Sequence, residues 1–125
     1  MKILMIATHV LSNDIGSGGD VLFINIARRW QQQGHDVQVL LAAAGSEAYT
    51  QACAPARTLM LSGTWLDTPR RYFGHSLVIA LVYMGRAVRA IPLLWRLPTD
   101  IVYTPGDFWC DVLPTVVKKI RQPRI

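Results

Sequence analysis

The residues best suited to chemistry lie just after short apolar runs. His9 follows the run Lys2–Ala7, and Asp107 comes shortly after the run Asp100–Tyr103. A histidine in such a place can hydrogen-bond a substrate hydroxyl or act as a base, and a carboxylate can bind sugar hydroxyls. Each residue also has a simpler interpretation: His9 as a solvated loop residue, and Asp107 as the cap of a turn. Both interpretations stay open for each residue.

A glycine-rich segment, Asp14-Ile-Gly-Ser-Gly-Gly19, separates the first apolar run from a predicted helix. Gly16, Gly18 and Gly19 would let backbone amides approach a phosphate, and the positive end of the helix dipole would add attraction. Alternatively, the glycines only turn a tight connection. Val21 stands where a dinucleotide fingerprint has its third glycine, and no Gly-Lys-Ser/Thr of a P-loop follows. We therefore expect neither NAD nor any other cofactor.

Hydropathy predicts alternating strands and helices, with residues 64–75 as a loop. The predicted strands are Lys2–Ala7, Asp36–Leu41, Thr58–Leu61 and Asp100–Tyr103, and the predicted helices are Asp20–Gln33, Ser46–Cys53, Ser76–Leu97 and Asp111–Arg121. Repeated strand–helix units predict an α/β fold: a Rossmann-like parallel sheet with flanking helices. Because parallel sheets bind ligands at the carboxyl ends of their strands, His9 and Asp107 are expected at that same edge.

Composition and charge bound the class of protein and its partners. The 125 residues suit one domain, and 51% are hydrophobic while only 17% are charged. The low charged fraction indicates surface that another domain, another chain or lipid covers. The net charge is +5, but there is no recognition-helix or aromatic-interleaved basic motif, so we expect no nucleic-acid partner.

One predicted helix carries a basic stripe of Arg86, Arg89 and Arg96. This stripe would meet the anionic surface of a membrane, or it is a solvated helix face over an apolar core. Arg86 and Arg89 also cut the apolar stretch short, so no transmembrane span is predicted.

The two cysteines point to a reduced compartment. Cys53 and Cys110 lack metal-ligand spacing, so no metal site is predicted and two free buried thiols are expected. No secretory signal precedes the first strand. We therefore expect a cytoplasmic protein. A further expectation is peripheral contact with the inner face of the membrane.

Several segments resemble the N-terminal domain of GT-B glycosyltransferases of the family 4 type. The similarity is carried by Met1–Ala7, the glycine loop, the helix with its end Gly34-His-Asp-Val37, Asp100–Tyr103 and Asp111-Val-Leu-Pro114. The resemblance implies two Rossmann-like domains, of which the N-terminal one binds the acceptor and the other binds most of the nucleotide-sugar donor. Gly18 and Gly19 match the family's loop that approaches the donor phosphates, and several members bind membranes through this domain.

The chain also departs from that family. The donor domain with its paired-glutamate motif is lacking, and Thr104-Pro-Gly-Asp107 stands where many members have a histidine. No catalytic residue is therefore carried over. We expect residues 1–125 to be a fragment or split half, with its sheet incomplete at the C-terminal end, and inactive without a donor-binding domain.

The expected partners are a nucleotide-sugar donor and a glycan or lipid-linked acceptor, as in polysaccharide or envelope assembly. One alternative is a non-catalytic βαβ module that binds a phosphorylated ligand or a protein. Another is a peripheral membrane-docking domain.

Overall fold

A computed structural model of the chain describes residues 1–11, 14–61, 63, 76–106 and 108–124. The strands in these ranges are β1 (Lys2–Ala7), β2 (Asp36–Ala42), β3 (Arg57–Leu61) and β4 (Ile101–Tyr103). The helices in the same ranges are α1 (Gly18–Gln32), α2 (Ser46–Ala52), α3 (Ser76–Arg96) and α4 (Trp109–Arg121). The predicted bounds of these elements agree to within two residues. The predicted loop 64–75 and Asp107 lie outside the described residues.

The strands form one parallel sheet in the order β3-β2-β1-β4. This arrangement confirms the predicted α/β, Rossmann-like fold class. Five of the six residues of β1 are buried, because β1 has a strand on each side and helices over both faces. Its short, continuous apolar run is therefore that of a central strand.

Successive side chains of β1 point to opposite faces of the sheet and define two apolar clusters. Ile3, Met5 and Ala7 pack in a cluster with residues of α1 and α2, among them Phe23, Ala27 and Tyr49. Leu4 and Ile6 pack in a second cluster with Ala90 and Leu94 of α3. Helix α4 packs against α3. Helices α1 and α2 thus cover one face, and α3 and α4 cover the other.

Local sequence explains where α1 begins and ends. Ser17 and Asp20 form a capping box, in which each side chain accepts a hydrogen bond from the backbone amide of the other residue. Gly34 follows the helix with a φ of +80°, a conformation that glycine adopts without steric cost. Asp20 is thus the third residue of α1, where its carboxylate also favours the helix dipole.

Helix α3 is long and apolar enough to cross a membrane by length and composition, and it is the one such helix within the described ranges. A third of its most apolar window is buried against the rest of the chain, and core helices of soluble proteins meet the same criterion. Pro92 lies inside α3 and Pro114 inside α4, and neither ends its helix.

Candidate functional site

His9 lies at the point in the sheet where neighbouring connections diverge. It follows β1, which leads into α1 on one face, while the adjacent strand β4 leads into α4 on the other face. Loops that leave in opposite directions open a crevice at the carboxyl ends of the strands, where α/β proteins bind ligands. The structure therefore places His9 where its sequence position predicted.

The imidazole of His9 pairs with Asp111, at the start of α4. The distance from His9 Nδ1 to Asp111 Oδ2 is 2.7 Å. The other carboxylate oxygen, Oδ1, accepts hydrogen bonds from the backbone amide of Thr8 at 2.8 Å and from the Thr8 hydroxyl. Asp111 is buried, with 1% of its surface exposed, so these three contacts replace its hydration.

This pairing decides which nitrogen of His9 is available for chemistry. An ionised carboxylate only accepts hydrogen bonds, so Nδ1 carries the hydrogen that it shares with Asp111. In the neutral ring, Nε2 then has a free lone pair, and the carboxylate stabilises the imidazolium that forms when Nε2 takes up a proton. The arrangement is that of a general base with an orienting carboxylate.

Two further groups border the His9 ring. Phe108 stacks on its face, with 4.4 Å between ring centroids and 4° between the ring planes. On the other side, Nε2 lies 3.9 Å from Oδ1 of Asp20. This separation is too long for a good direct hydrogen bond. Asp20 and Nε2 therefore share no direct hydrogen bond.

Asp20 is held as an anion beside His9. Burial by itself would raise its pKa, but hydrogen bonds from Tyr49 and Ser17 outweigh burial and hold that pKa below its ordinary value. The Tyr49 hydroxyl donates to Asp20, and the pKa of Tyr49 is raised by burial and by this bond. The site therefore combines one imidazole with a fixed negative charge.

The glycine loop leads into α1 just before Asp20, but some of its backbone amides already donate hydrogen bonds within the chain. Amides of Ser17 and Asp20 bond within the capping box, which leaves those of Gly18 and Gly19 in the first turn of α1. A side chain added at Gly16 or Gly18 would meet no atom within 4 Å, and neither glycine has a positive φ. Neither position thus needs glycine for its backbone conformation. The open backbone is accessible to a ligand, and phosphate binding there stays a prediction.

The three predicted surface arginines occupy different environments. Arg86 is 1% exposed, so its predicted place on a membrane-facing surface is wrong. Its guanidinium donates instead to the carbonyls of Thr8 and Val10, beside His9. Arg89 is half-buried and Arg96 is exposed, so only these two retain a position compatible with the predicted surface.

Asp107 cannot be placed relative to His9, because it lies outside the described residues. Asp111 takes the position of the second polar group at this edge. No pattern in the sequence indicated the role of Asp111, because an acidic residue in the first turn of a helix is ordinarily explained by the helix dipole. The roles of Tyr49 and Phe108 were not predicted either, because an isolated aromatic residue is usually a core residue.

Within the described ranges, no group of three or more His, Cys, Asp or Glu side chains could hold a metal ion. A broad depression lies at the opposite edge of the sheet, lined by residues such as Lys2, Asp36 and Asp100. Neither His9 nor Asp111 lines this depression, so the edge of the sheet that contains His9 is the candidate functional site. Comparison of the chain with family models, curated proteins and solved structures gives no match.

Proposed function

We propose that this chain is the acceptor-side domain of a glycosyltransferase. The transferred sugar would come from a nucleotide-sugar donor and would pass to a hydroxyl of a glycan or lipid-linked acceptor. The observation that carries the proposal is the hydrogen bond between His9 and buried Asp111 at the carboxyl edge of the sheet. The resemblance in sequence supports the reaction class, and the geometry supports the role of His9.

In this proposal, His9 accepts the proton of the attacking hydroxyl. The acceptor oxygen forms a bond to the anomeric carbon, the bond from that carbon to the donor diphosphate breaks, and the hydroxyl proton passes to Nε2. The electron pair of the broken bond leaves with the diphosphate. Asp111 stabilises the imidazolium, as the carboxylate of a hydrolase triad stabilises its histidine.

Asp20 favours a hydroxyl-bearing ligand over a phosphate at this position. Its carboxylate is ionised and lies 3.9 Å from Nε2, so it repels a phosphate and accepts a hydrogen bond from a hydroxyl. The negative charge that develops on the leaving diphosphate has to be stabilised by groups of a second, donor-binding domain. That domain would be part of the same protein or of a partner.

The test is a transfer assay of the chain combined with a donor-binding domain, using a panel of radiolabelled nucleotide sugars. We expect His9→Ala to lower kcat about 10²-fold or more, the size of a lost general base. His35→Ala is the matched control, because His35 lies at the opposite edge of the sheet, between α1 and β2. Transfer that is unaffected by His9→Ala would overturn the role of His9.

A second candidate is a non-catalytic module that binds a phosphorylated ligand through Gly18 and Gly19. The unoccupied space over Gly18 and the amides left by the capping box favour it. Binding of a sugar phosphate without any transfer, in the same assay mixture, would support this candidate. Loss of that binding in Gly18→Val, with His9→Ala still binding, would assign it to the loop.

We also propose peripheral contact with an anionic membrane through α3. The outer stripe of α3, which we define as Leu77, Leu81, Met84 and Val88, is exposed. No acidic residue lies within α3, and of its basic residues Arg89 is half-buried and Arg96 is exposed. An exposed apolar stripe with adjacent basic side chains suits the surface of an anionic bilayer.

A further inference from the structure

Three consecutive backbone carbonyls around His9 accept hydrogen bonds from side chains of α3. The guanidinium of Arg86 donates through one nitrogen to Thr8 O at 2.6 Å and to Val10 O at 2.8 Å. The hydroxyl of Tyr83 donates to the intervening carbonyl, His9 O, at 2.9 Å. Tyr83 and Arg86 are three residues apart, so both side chains project from the same side of α3.

These contacts supply hydrogen bonds to the backbone just beyond the point where β1 stops pairing with β2. The register of β1 with β2 ends at Ala7, so Thr8, His9 and Val10 lie beyond the ladder. Buried carbonyls need donors, and α3 supplies them. Thr8 is held on both sides, because Asp111 of α4 accepts from its amide while Arg86 of α3 donates to its carbonyl.

We infer that Tyr83 and Arg86 are positioning residues for His9. They hold the backbone of residues 8–10 so that the imidazole reaches Asp111 with Nε2 directed away from it. The catalytic consequence rests on the proposed function, whereas the positioning itself concerns only this chain. It also gives buried Arg86 a role, since the planar NH₂ group at Nη1 holds the carbonyls of Thr8 and Val10 in a fixed geometry.

The experiment measures hydrogen exchange at His9 Nδ1 by NMR on the chain labelled with ¹⁵N-histidine. In Tyr83→Phe, we expect this hydrogen to exchange roughly fivefold to tenfold faster, the effect of losing one hydrogen bond that holds the backbone carbonyl of His9 in place. Tyr103→Phe is the matched control, because Tyr103 lies at the same edge but packs on the side of α1. In Tyr103→Phe, the hydrogen on His9 Nδ1 should exchange at the wild-type rate.

Arg86→Lys is a second variant, since it keeps the charge but shortens the side chain and removes the planar Nη1 group that binds the carbonyls of Thr8 and Val10. We expect faster exchange at Nδ1 than in wild type, with backbone amide spectra of β2 and α1 unchanged. If both Tyr83→Phe and Arg86→Lys leave the exchange rate at the wild-type value, the inference is overturned.

A transfer assay separates this inference from the proposed function. If His9 is the base, Tyr83→Phe should lower kcat roughly fivefold to tenfold with KM unchanged, parallel to its effect on exchange. If exchange accelerates while kcat stays constant, the positioning stands and the catalytic role of His9 fails.

Discussion

The two faces of the sheet differ in how many charged side chains they bury. Under α1 and α2, the buried cluster is apolar, with Phe23 and Ala27 completely covered, and Asp20, bonded to Tyr49, is the buried charged residue described on this side. On the side of α3 and α4, the fully buried side chains include the charged groups of Arg86, Asp111 and Lys118. Conversely, the outer stripe of α3 is exposed, with Leu77 at 73%. One face is stabilised by burying apolar side chains, and the other also fixes the backbone and imidazole of the site.

This difference explains why the charged face contains the site. Buried charges are stable only when hydrogen bonds satisfy them, and those bonds have fixed geometry. Asp111 and Arg86 both direct their bonds to the segment that contains His9. An apolar cluster would hold the same segment without determining the orientation of the imidazole.

The largest effect that tests this comparison is expected at Lys118. Its ammonium donates to the carbonyls of Leu94 and Leu97, at the C-terminal end of α3. Burial lowers the pKa of Lys118, so part of the free energy gained from these two hydrogen bonds offsets the cost of desolvating the ammonium group. We expect Lys118→Met to lower the free energy of unfolding by about 2 kcal/mol, because two helix-end carbonyls lose their donor.

Lys119→Met is the matched control, because Lys119 is exposed and bonds to the carbonyl of Pro123. Its effect should stay within about 0.5 kcal/mol. Urea unfolding of both variants provides the comparison. A Lys118→Met protein as stable as wild type would show that this charge does not stabilise the α3/α4 face.

An effect confined to alkaline pH is expected from the two thiols, which lie on different faces. Burial raises the pKa of Cys53 from 9.0 to about 11, and burial together with the charge of Asp111 raises that of Cys110 from 9.0 to about 12. The folded chain keeps these protons while the unfolded chain loses them. The resulting stabilisation is therefore complete below pH 9 and is lost as pH rises through the folded-state values.

Each thiol contributes at most about 1.4 kcal/mol per pH unit in this window. Unfolding free energies of wild type, Cys53→Ala and Cys110→Ala, measured from about pH 8 to about pH 11, isolate each contribution by difference. We expect a shallower alkaline decline in both variants. Identical slopes in all three proteins would mean that neither thiol is more protected when folded than when unfolded.

The smallest effect on stability is expected on the outer stripe of α3. Leu81 is exposed, so Leu81→Ser should change the free energy of unfolding by no more than about 0.5 kcal/mol. Val82→Ser, at the adjacent buried position, should cost about 1–3 kcal/mol.

If the stripe contacts membranes, Leu81→Ser will also reduce co-sedimentation with anionic vesicles, and Arg96→Glu will do so at low salt. Unchanged co-sedimentation in both variants would argue against this contact.

Hydropathy predicted the elements well because each has a clear beginning and end. The run Lys2–Ala7 is β1 without change. Helix α1 begins two residues before the predicted Asp20, because Ser17 rather than Asp20 is its N-cap. On the inner face of α1, Phe23, Ile24 and Ala27 are buried, whereas Leu22 is exposed.

The site was harder to predict than the fold. The position of His9 followed from parallel-sheet topology, but its partner did not, since Asp111 is 102 residues away along the chain. Nor did the type of Arg86 indicate burial, because arginines in helices are ordinarily exposed. Such pairings depend on how α3 and α4 dock, which no periodicity in a single sequence encodes.

The distance between His9 and Asp111 along the chain has a consequence for the order of folding. Contacts between remote segments form slowly, because a long loop has to close first. At synthesis rates of about 5–20 residues per second, His9 is made roughly 5–20 s before its carboxylate. Helix α4 follows the other described elements in the chain, so β1 and α1 can fold while the imidazole still lacks its partner. The acid–base pair is therefore a late product of folding, present only in molecules in which α4 has docked.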